Sequence, residues 1–371
     1  MQSVMRAGVL TIMVFWAFST VAEQSLVDLD LHAIYGLNQA EKQLRAKKYK
    51  QAQHAFAEVA STASDQVMAA LAKARAAVAL GLQENRYEEG LARARAVDDR
   101  ACSVQAQMQL MIANEDFQKL VDAFGDEDIG AWPKRALPRR PRVGRRDVRA
   151  VALFDRGRAF LRTGDGSAAA RDIDHAYEFA GDRHHKLNIL SFLARNVYAH
   201  TLNDADKAFE TNMRIVELDA GYAATMRATI SAARYLRNKE RYDEALEVLA
   251  PSNWRKKTSR YWFTRGMKAV AETLSAADRN REAADAYRLI MEADEKRTNA
   301  ADRSWAGLQA GKAFSAAGDD DTARNIYNKL LARKDVGEEY REKAEAALAE
   351  LAETSSPAEE AGWEHVFTDQ F

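Results

Sequence analysis

The residues best able to do chemistry gather near position 180. His175 and Glu178 are spaced to share one side of a helix, Asp172 and Asp174 precede them, and His184-His185 follow Gly181-Asp182. A metal site needs three or four ligands converging with fixed geometry. This spacing positions no second ligand pair beside His175 and Glu178, so solvated polar loop side chains account for the group more simply. The chain has no Gly-x-Ser-x-Gly and no glycine-rich phosphate loop ending in Gly-Lys-Ser/Thr. Gly157, Gly164 and Gly166 follow no strand pattern, which removes a dinucleotide fingerprint. Carboxylates on helical stretches alternate with Lys and Arg, as on a solvated face. The lone Cys102 cannot form an internal disulfide. It lies in an apolar-periodic stretch with Ala106 and Leu110, which reads as a buried small hydrophobe, with a reactive thiol or intermolecular bridge as the other reading. No cofactor or metal is expected, and no residue set is present to carry an enzymatic activity.

The elements that would position any site are helices. The 371 residues hold 54 Lys+Arg against 55 Asp+Glu, so no global field points to nucleic acid or an anionic surface. Abundant Ala with Leu, Arg, Glu and Lys, and five prolines, favour helix throughout. Long β-branched runs bounded by turns are absent, and almost no strand is expected. Ala52, Ala208, Ala245, Ala283 and Ala323 recur in one local setting. A turn-like stretch precedes each, and a large apolar residue such as Phe56, Leu249, Tyr287 or Tyr327 follows about one helical turn later. The interval is roughly 38 residues, in the range of solenoids whose units bury their apolar faces by stacking.

Two units show the scheme most clearly. Leu153 to Ala180 carries Gly157, Phe160, Gly164-Asp165, Ala169, Ile173 and Ala176, and Gly307 to Ala332 carries Gly311, Phe314, Gly318, Ala323, Tyr327 and Leu330. This pattern resembles the tetratricopeptide repeat, a helix–turn–helix unit with small residues and aromatics at set places on both helices. A small residue on each helix lets the backbones approach, Gly164 and Gly318 can take the positive φ that ends a first helix, and Asp165 and Asp319 can satisfy free amides where the second begins. Looser units follow through Ala40–Val59, Ala74–Val97 (with Gly90 at the small position), Phe192–Ile215, Thr229–Leu249 and Met267–Ile290. Val104–Phe124 departs, with Leu120 where a small residue is expected. The fold class expected is all-α, a tetratricopeptide-like helical-hairpin solenoid of about eight hairpins, closed by a charged capping helix from Glu338. Spacings longer than the roughly 34 residues of the repeat class imply helices or loops a few residues longer.

Organisation follows from composition. Residues 1–22 read as a secretory signal: Arg6, an apolar run Ala7 to Phe18, then small residues before Glu23. That run, about 12 residues, is short for a membrane span of about 20. An uncleaved anchor or a buried N-terminal helix are the other readings, and an exported location, periplasmic or secreted, is expected. Residues 23–128 form a first array and 150–352 a second. Between them, 129–149 holds Pro133, Pro138 and Pro141 with a dense basic run that includes Arg139, Arg140, Arg142, Arg145 and Arg146. Proline there argues for a linker. Its arginines either keep a long loop soluble or bind an anionic envelope surface such as lipid or glycan. Nucleic acid is not expected, since Trp132 alone interleaves the arginines as a stacking residue. The tail 353–371 carries acidic residues with Trp363, Val366, Phe367 and Phe371, which can dock on the solenoid or on a partner. Trp254, Trp262 and Trp305 pack between hairpins or face a groove. The resemblance implies that first helices line an inner groove that holds a peptide or protein partner. It makes Asn196, Arg234 and Lys268 candidate groove residues, with Arg227 and Arg237 nearby. The function expected is a non-catalytic interaction scaffold of the envelope or secreted space, with surface tethering and an accessory subunit of an envelope complex as alternatives.

Overall fold

The computed structural model describes residues 33–134, 136–137, 146–218, 223–249 and 259–355. Helix follows helix with short turns. α1 spans 33–45, followed by α2 (Tyr49–Thr62), α3 (Gln66–Gly81), α4 (Tyr87–Arg95), α5 (Arg100–Ala113) and α6 (Phe117–Phe124). After the basic segment come α7 (Val148–Thr163), α8 (Gly166–Phe179), α9 (Arg183–Phe192) and α10 (Ala205–Leu218). α9 continues through Leu193–Thr201 with its backbone widened to π-helical bonding. Then follow α11 (Ala223–Asn238), α12 (Tyr242–Leu249), α13 (Arg260–Ala276), α14 (Asn280–Met291), α15 (Ala300–Ala316), α16 (Asp320–Leu331) and α17 (Glu338–Ser355). Among the described residues these make eight helical hairpins with α17 after them, which is the expected architecture. The strand content of the described residues is one antiparallel pairing of Ala136–Leu137 with Arg146–Asp147.

The turns have a common cause. Every first helix ends on one residue in the left-handed region: Lys47, Asn85, Glu115, Gly164, Asn203, Glu240, Asp278 and Gly318. In seven of the hairpins the next amide reaches back to the last turn of the helix, as in Lys48 N to Gln43 O (3.0 Å), Arg241 N to Leu236 O (2.9 Å) and Asp319 N to Phe314 O (2.9 Å). This closure satisfies carbonyls that the helix end would otherwise orphan. Gly164 (φ 94°) and Gly318 (φ 75°) fill the role expected of them, and Asp165 and Asp319 cap the following helices through the amides of Ala168 (2.8 Å) and Thr322 (3.2 Å).

The recurrent alanines are the contact points between paired helices. Ala52, Ala169, Ala245, Ala283 and Ala323 are fully buried, as are Phe56, Ile173 and Leu249 nearby. At Gly90 a side chain would collide with the backbone of Gly81, so α3 and α4 touch main chain to main chain. Leu120 is equally buried, but α6 is eight residues long and packs chiefly on α7, so its bulk fills the space between hairpins.

The chain divides into two compact units at Thr211/Asn212. The described ends of the segment 129–149 lie within the first. Ile129 and Trp132 are buried there, Trp132 Nε1 donates to Glu127 at 3.1 Å, and Val148 and Ala152 on the far side join the same core. A buried arginine ties the two sides together: Arg156 of α7 forms two hydrogen bonds with Asp172 (2.6 and 2.8 Å) and donates to the carbonyls of Phe124 (3.0 Å) and Gly125 (3.2 Å) at the end of α6. Asp172 is therefore a core ion-pair partner and not a solvated loop acid. His184 and His185 likewise depart from the loop expectation. They lie in the first turn of α9, and His185 is buried.

Candidate functional sites: two first-helix faces

In the first unit, α1, α3, α5 and α7 present one face to a groove of about 690 Å³. Its floor is a polar ladder. Arg75 Nε donates to Glu41 Oε1 at 2.5 Å, and Arg75 Nη1 donates to Gln109 Oε1. Each partner lies 34 residues away, so Glu41, Arg75 and Gln109 occupy one place in three successive hairpins. Gln105 Nε2 donates to Gln109 at 3.4 Å and extends the row. Glu41 and Arg75 are buried, which makes their mutual neutralisation necessary: an isolated charge there would forfeit its hydration. The groove's apolar lining includes Leu44, Tyr49, Leu82, Ile112 and Val151, and its cations include Arg45, Lys47 and Arg158. Arg158 has Asp155 at 3.8 Å.

In the second unit the corresponding face is basic and aromatic. Arg237 of α11 pairs with Glu272 of α13 at 2.9 Å, and Lys268 stands 3.8 Å from the same carboxylate. Lys268 also lies over the Trp305 ring at 4.2 Å, and Trp305 meets Tyr287 edge-on at 5.4 Å. Arg265, one turn before Lys268, covers Tyr261 at 4.3 Å. Arg227 and Arg234 are exposed on α11. Burial, with the Glu272 carboxylate adding to it, pushes the Tyr287 phenol up, so the ring stays neutral beside these charges. The face is a row of cations and π-surfaces held by one carboxylate.

The sequence candidates fall as follows. Lys268 sits at the centre of the second-unit face, and Arg234 is exposed on α11 alongside. Asn196 is half-buried in the widened turn of the first unit, where its carbonyl accepts from Thr201 Oγ1 at 2.8 Å. Arg139, Arg140, Arg142, Arg145, Trp254, Trp363, Phe367 and the signal-like segment 1–22 lie outside the described residues, and of Arg146 only the backbone is described. The groove ladder escaped sequence reading, although the 34-residue interval from Glu41 to Arg75 to Gln109 was there to find. The His and Asp cluster does not converge. His175 and Glu178 are 3.7 Å apart and largely exposed, while Asp172 is bound to Arg156. Among the described residues no group of three His, Cys, Asp or Glu side chains is placed to hold a metal ion, and no helix is long and apolar enough to cross a membrane. Cys102 is buried, as its apolar setting implied.

No family model and no curated protein matches the sequence. Solved structures do match at the level of fold. The apo form of RapI shares 12% identity over 86% of this chain and 98% of its own, with a TM-score of 0.43. BtubC (BKLC) from P. vanneervenii shares 13% over 74% and 100%, with a TM-score of 0.38. A tetratricopeptide repeat protein from Parabacteroides merdae shares 12% over 80% and 99%, with a TM-score of 0.32. At these values the helix geometry itself, with its left-handed turns and small-residue contacts, carries the assignment. Each unit is a tetratricopeptide-like stack of helical hairpins.

Proposed function

We propose that this chain is a non-catalytic scaffold that holds a segment of another protein in the groove of its first unit. The observation that carries the reading is the Glu41–Arg75–Gln109 ladder beneath a cavity of about 690 Å³. Its buried charges are already neutralised, so a guest need not supply a counter-ion to the floor. Gln109, only partly buried, offers its amide NH2 to a guest backbone, and Leu44, Tyr49, Leu82 and Ile112 offer apolar contact. Arg45, Lys47 and Arg158 favour a guest with carboxylates. The apolar run Ala7 to Phe18 behind Arg6, read as an export signal, supports a periplasmic or secreted location for this work.

The test compares two surfaces of the same unit. Affinity capture with wild type is set beside Arg45→Glu/Arg158→Glu on the groove and Arg93→Glu on α4. A partner lost with the groove variant and kept with the α4 variant supports the proposal. A partner kept by both, or lost by both, removes the groove from the reading. Cell fractionation checks the location, and retention of residues 1–22 on a cytoplasmic chain contradicts export.

A further inference from the structure

We infer that the basic, aromatic face of the second unit is the docking site of the chain's own acidic segment, residues 356–371. This goes beyond the partner groove, which belongs to the first unit.

The first observation is charge. α11 and α13 together carry Arg227, Arg234, Arg237, Arg260, Arg265 and Lys268 against a single acid, Glu272. Elsewhere in the unit the charges are mixed. α12 opens with Asp243 and Glu244, and α14 pairs Arg288 with Asp285. Residues 356–371 carry Glu359, Glu360, Glu364 and Asp369 with no Lys or Arg. The whole chain is nearly neutral, so both excesses are local and opposite in sign.

The second observation is aromatic chemistry. Trp363, Phe367 and Phe371 recur at every fourth position, interleaved with those acids. The face already stacks cations on rings, Arg265 on Tyr261 and Lys268 on Trp305, and Tyr261 is 52% exposed. A segment alternating carboxylates with aromatic rings can meet guanidinium groups through both ion pairs and cation–π contact.

The third is reach. The segment departs from α17, which packs on α15 and α16 in the same unit. Fully extended, it spans about 50 Å. Neighbouring helices lie of order 10 Å apart, so α13 and α11 are within range.

Hydrogen exchange on the full chain tests the inference. Amides of 356–371 are expected to exchange about tenfold more slowly than in a free peptide of the same sequence. Arg234→Glu/Arg265→Glu removes that protection, and adding Glu360→Arg/Glu364→Arg to the same chain restores it. Raising salt to about 0.5 M, where the Debye length falls to a few ångströms, weakens it in the wild type. Three results overturn the inference: a wild-type segment exchanging at the free-peptide rate, protection indifferent to the charge reversal, or protection that vanishes on dilution and so requires a second copy. Partner capture by the first-unit groove is read independently of each result.

Discussion

The first unit's face buries a neutralised ion pair beneath its cations, whereas the second unit's face displays its charges, although both use the same hairpin. On α1, α3 and α5 a buried acid and a buried arginine neutralise each other, and an amide from the third hairpin accepts from the arginine. On α11 and α13 Arg237 and Lys268 share one carboxylate, while Arg227 and Arg234 stand exposed. The repeat dictates where a side chain points and leaves its chemistry free, because the packing contacts lie on other positions of the same helices. Function in such a fold can change without disturbing the core.

The sharpest break is at matched sites. Arg75→Met strands the Glu41 carboxylate in a buried setting and is expected to lower stability by about 3 kcal/mol. Adding Glu41→Gln should recover much of it, since no charge is then left behind. Arg234→Met, exposed on the other face, should stay within about 0.5 kcal/mol. Urea unfolding of the four proteins checks this, and equal effects at Arg75 and Arg234 would erase the distinction between the units.

The helix–helix contacts should not distinguish the units. Ala169→Leu in the first and Ala323→Leu in the second each force a larger group into a fully buried contact, with an expected cost of about 1–3 kcal/mol. Thermal midpoints of the two variants should fall together. A loss confined to one unit would mean that the shared packing is only apparent.

What the sequence disclosed follows from the same division. Ala52, Ala245 and Ala323 were legible because their constraint is size, and size is visible in residue type. Gly164 and Gly318 were legible because they are glycine. Turn-like stretches were also legible before Ala52, Ala208, Ala245 and Ala283, but not their left-handed residue, since Lys47, Asn203, Glu240 and Asp278, like Asn85 and Glu115, adopt that conformation without being glycine. The ladder was hidden for another reason. Glu41, Arg75 and Gln109 keep one position while changing identity, so a search for repeated residue types passes over them. The segment 129–149 read as a linker because its prolines are local signals, whereas the burial of Ile129, Trp132 and Val148 depends on distant partners.

Among its described residues the second unit does bury one cation, and it offers a smaller test. Arg303 is almost fully buried and pairs with Asp335 at 2.6 Å. Hydrogen bonds from Arg333, then Arg303, hold the Asp335 carboxyl down to about 2. An unfolded Asp titrates near 3.9, so the interaction is fully present above about pH 4 and is lost as pH falls toward 2. Asp335 is itself about one-third exposed, and the effect is screened accordingly. Asp335→Asn should cost about 1–2 kcal/mol at neutral pH, chiefly by leaving buried Arg303 with only the exposed Glu295 carboxylate at 3.8 Å, and the variant should converge on wild type near pH 2. An unchanged gap across that window would exclude the ion pair as its source.

The smallest expected effects are at the turns, and they return to what the units share. A non-glycine residue in the left-handed region is strained by about 1 kcal/mol, partly offset by the extra freedom glycine has when unfolded. Glu115→Gly in the first unit and Glu240→Gly in the second should therefore each stabilise by about 0.5 kcal/mol. Gly318→Ala runs the other way. An added Cβ there meets nothing within 4 Å, so the expected loss of about 1 kcal/mol is backbone strain alone. Chemical denaturation resolves these shifts when the three variants are measured side by side. Equal gains at Glu115 and Glu240 would show that one turn conformation is imposed on both stacks whatever charge their faces carry. Opposite signs would mean that the turn, like the face, has been adapted separately in each unit.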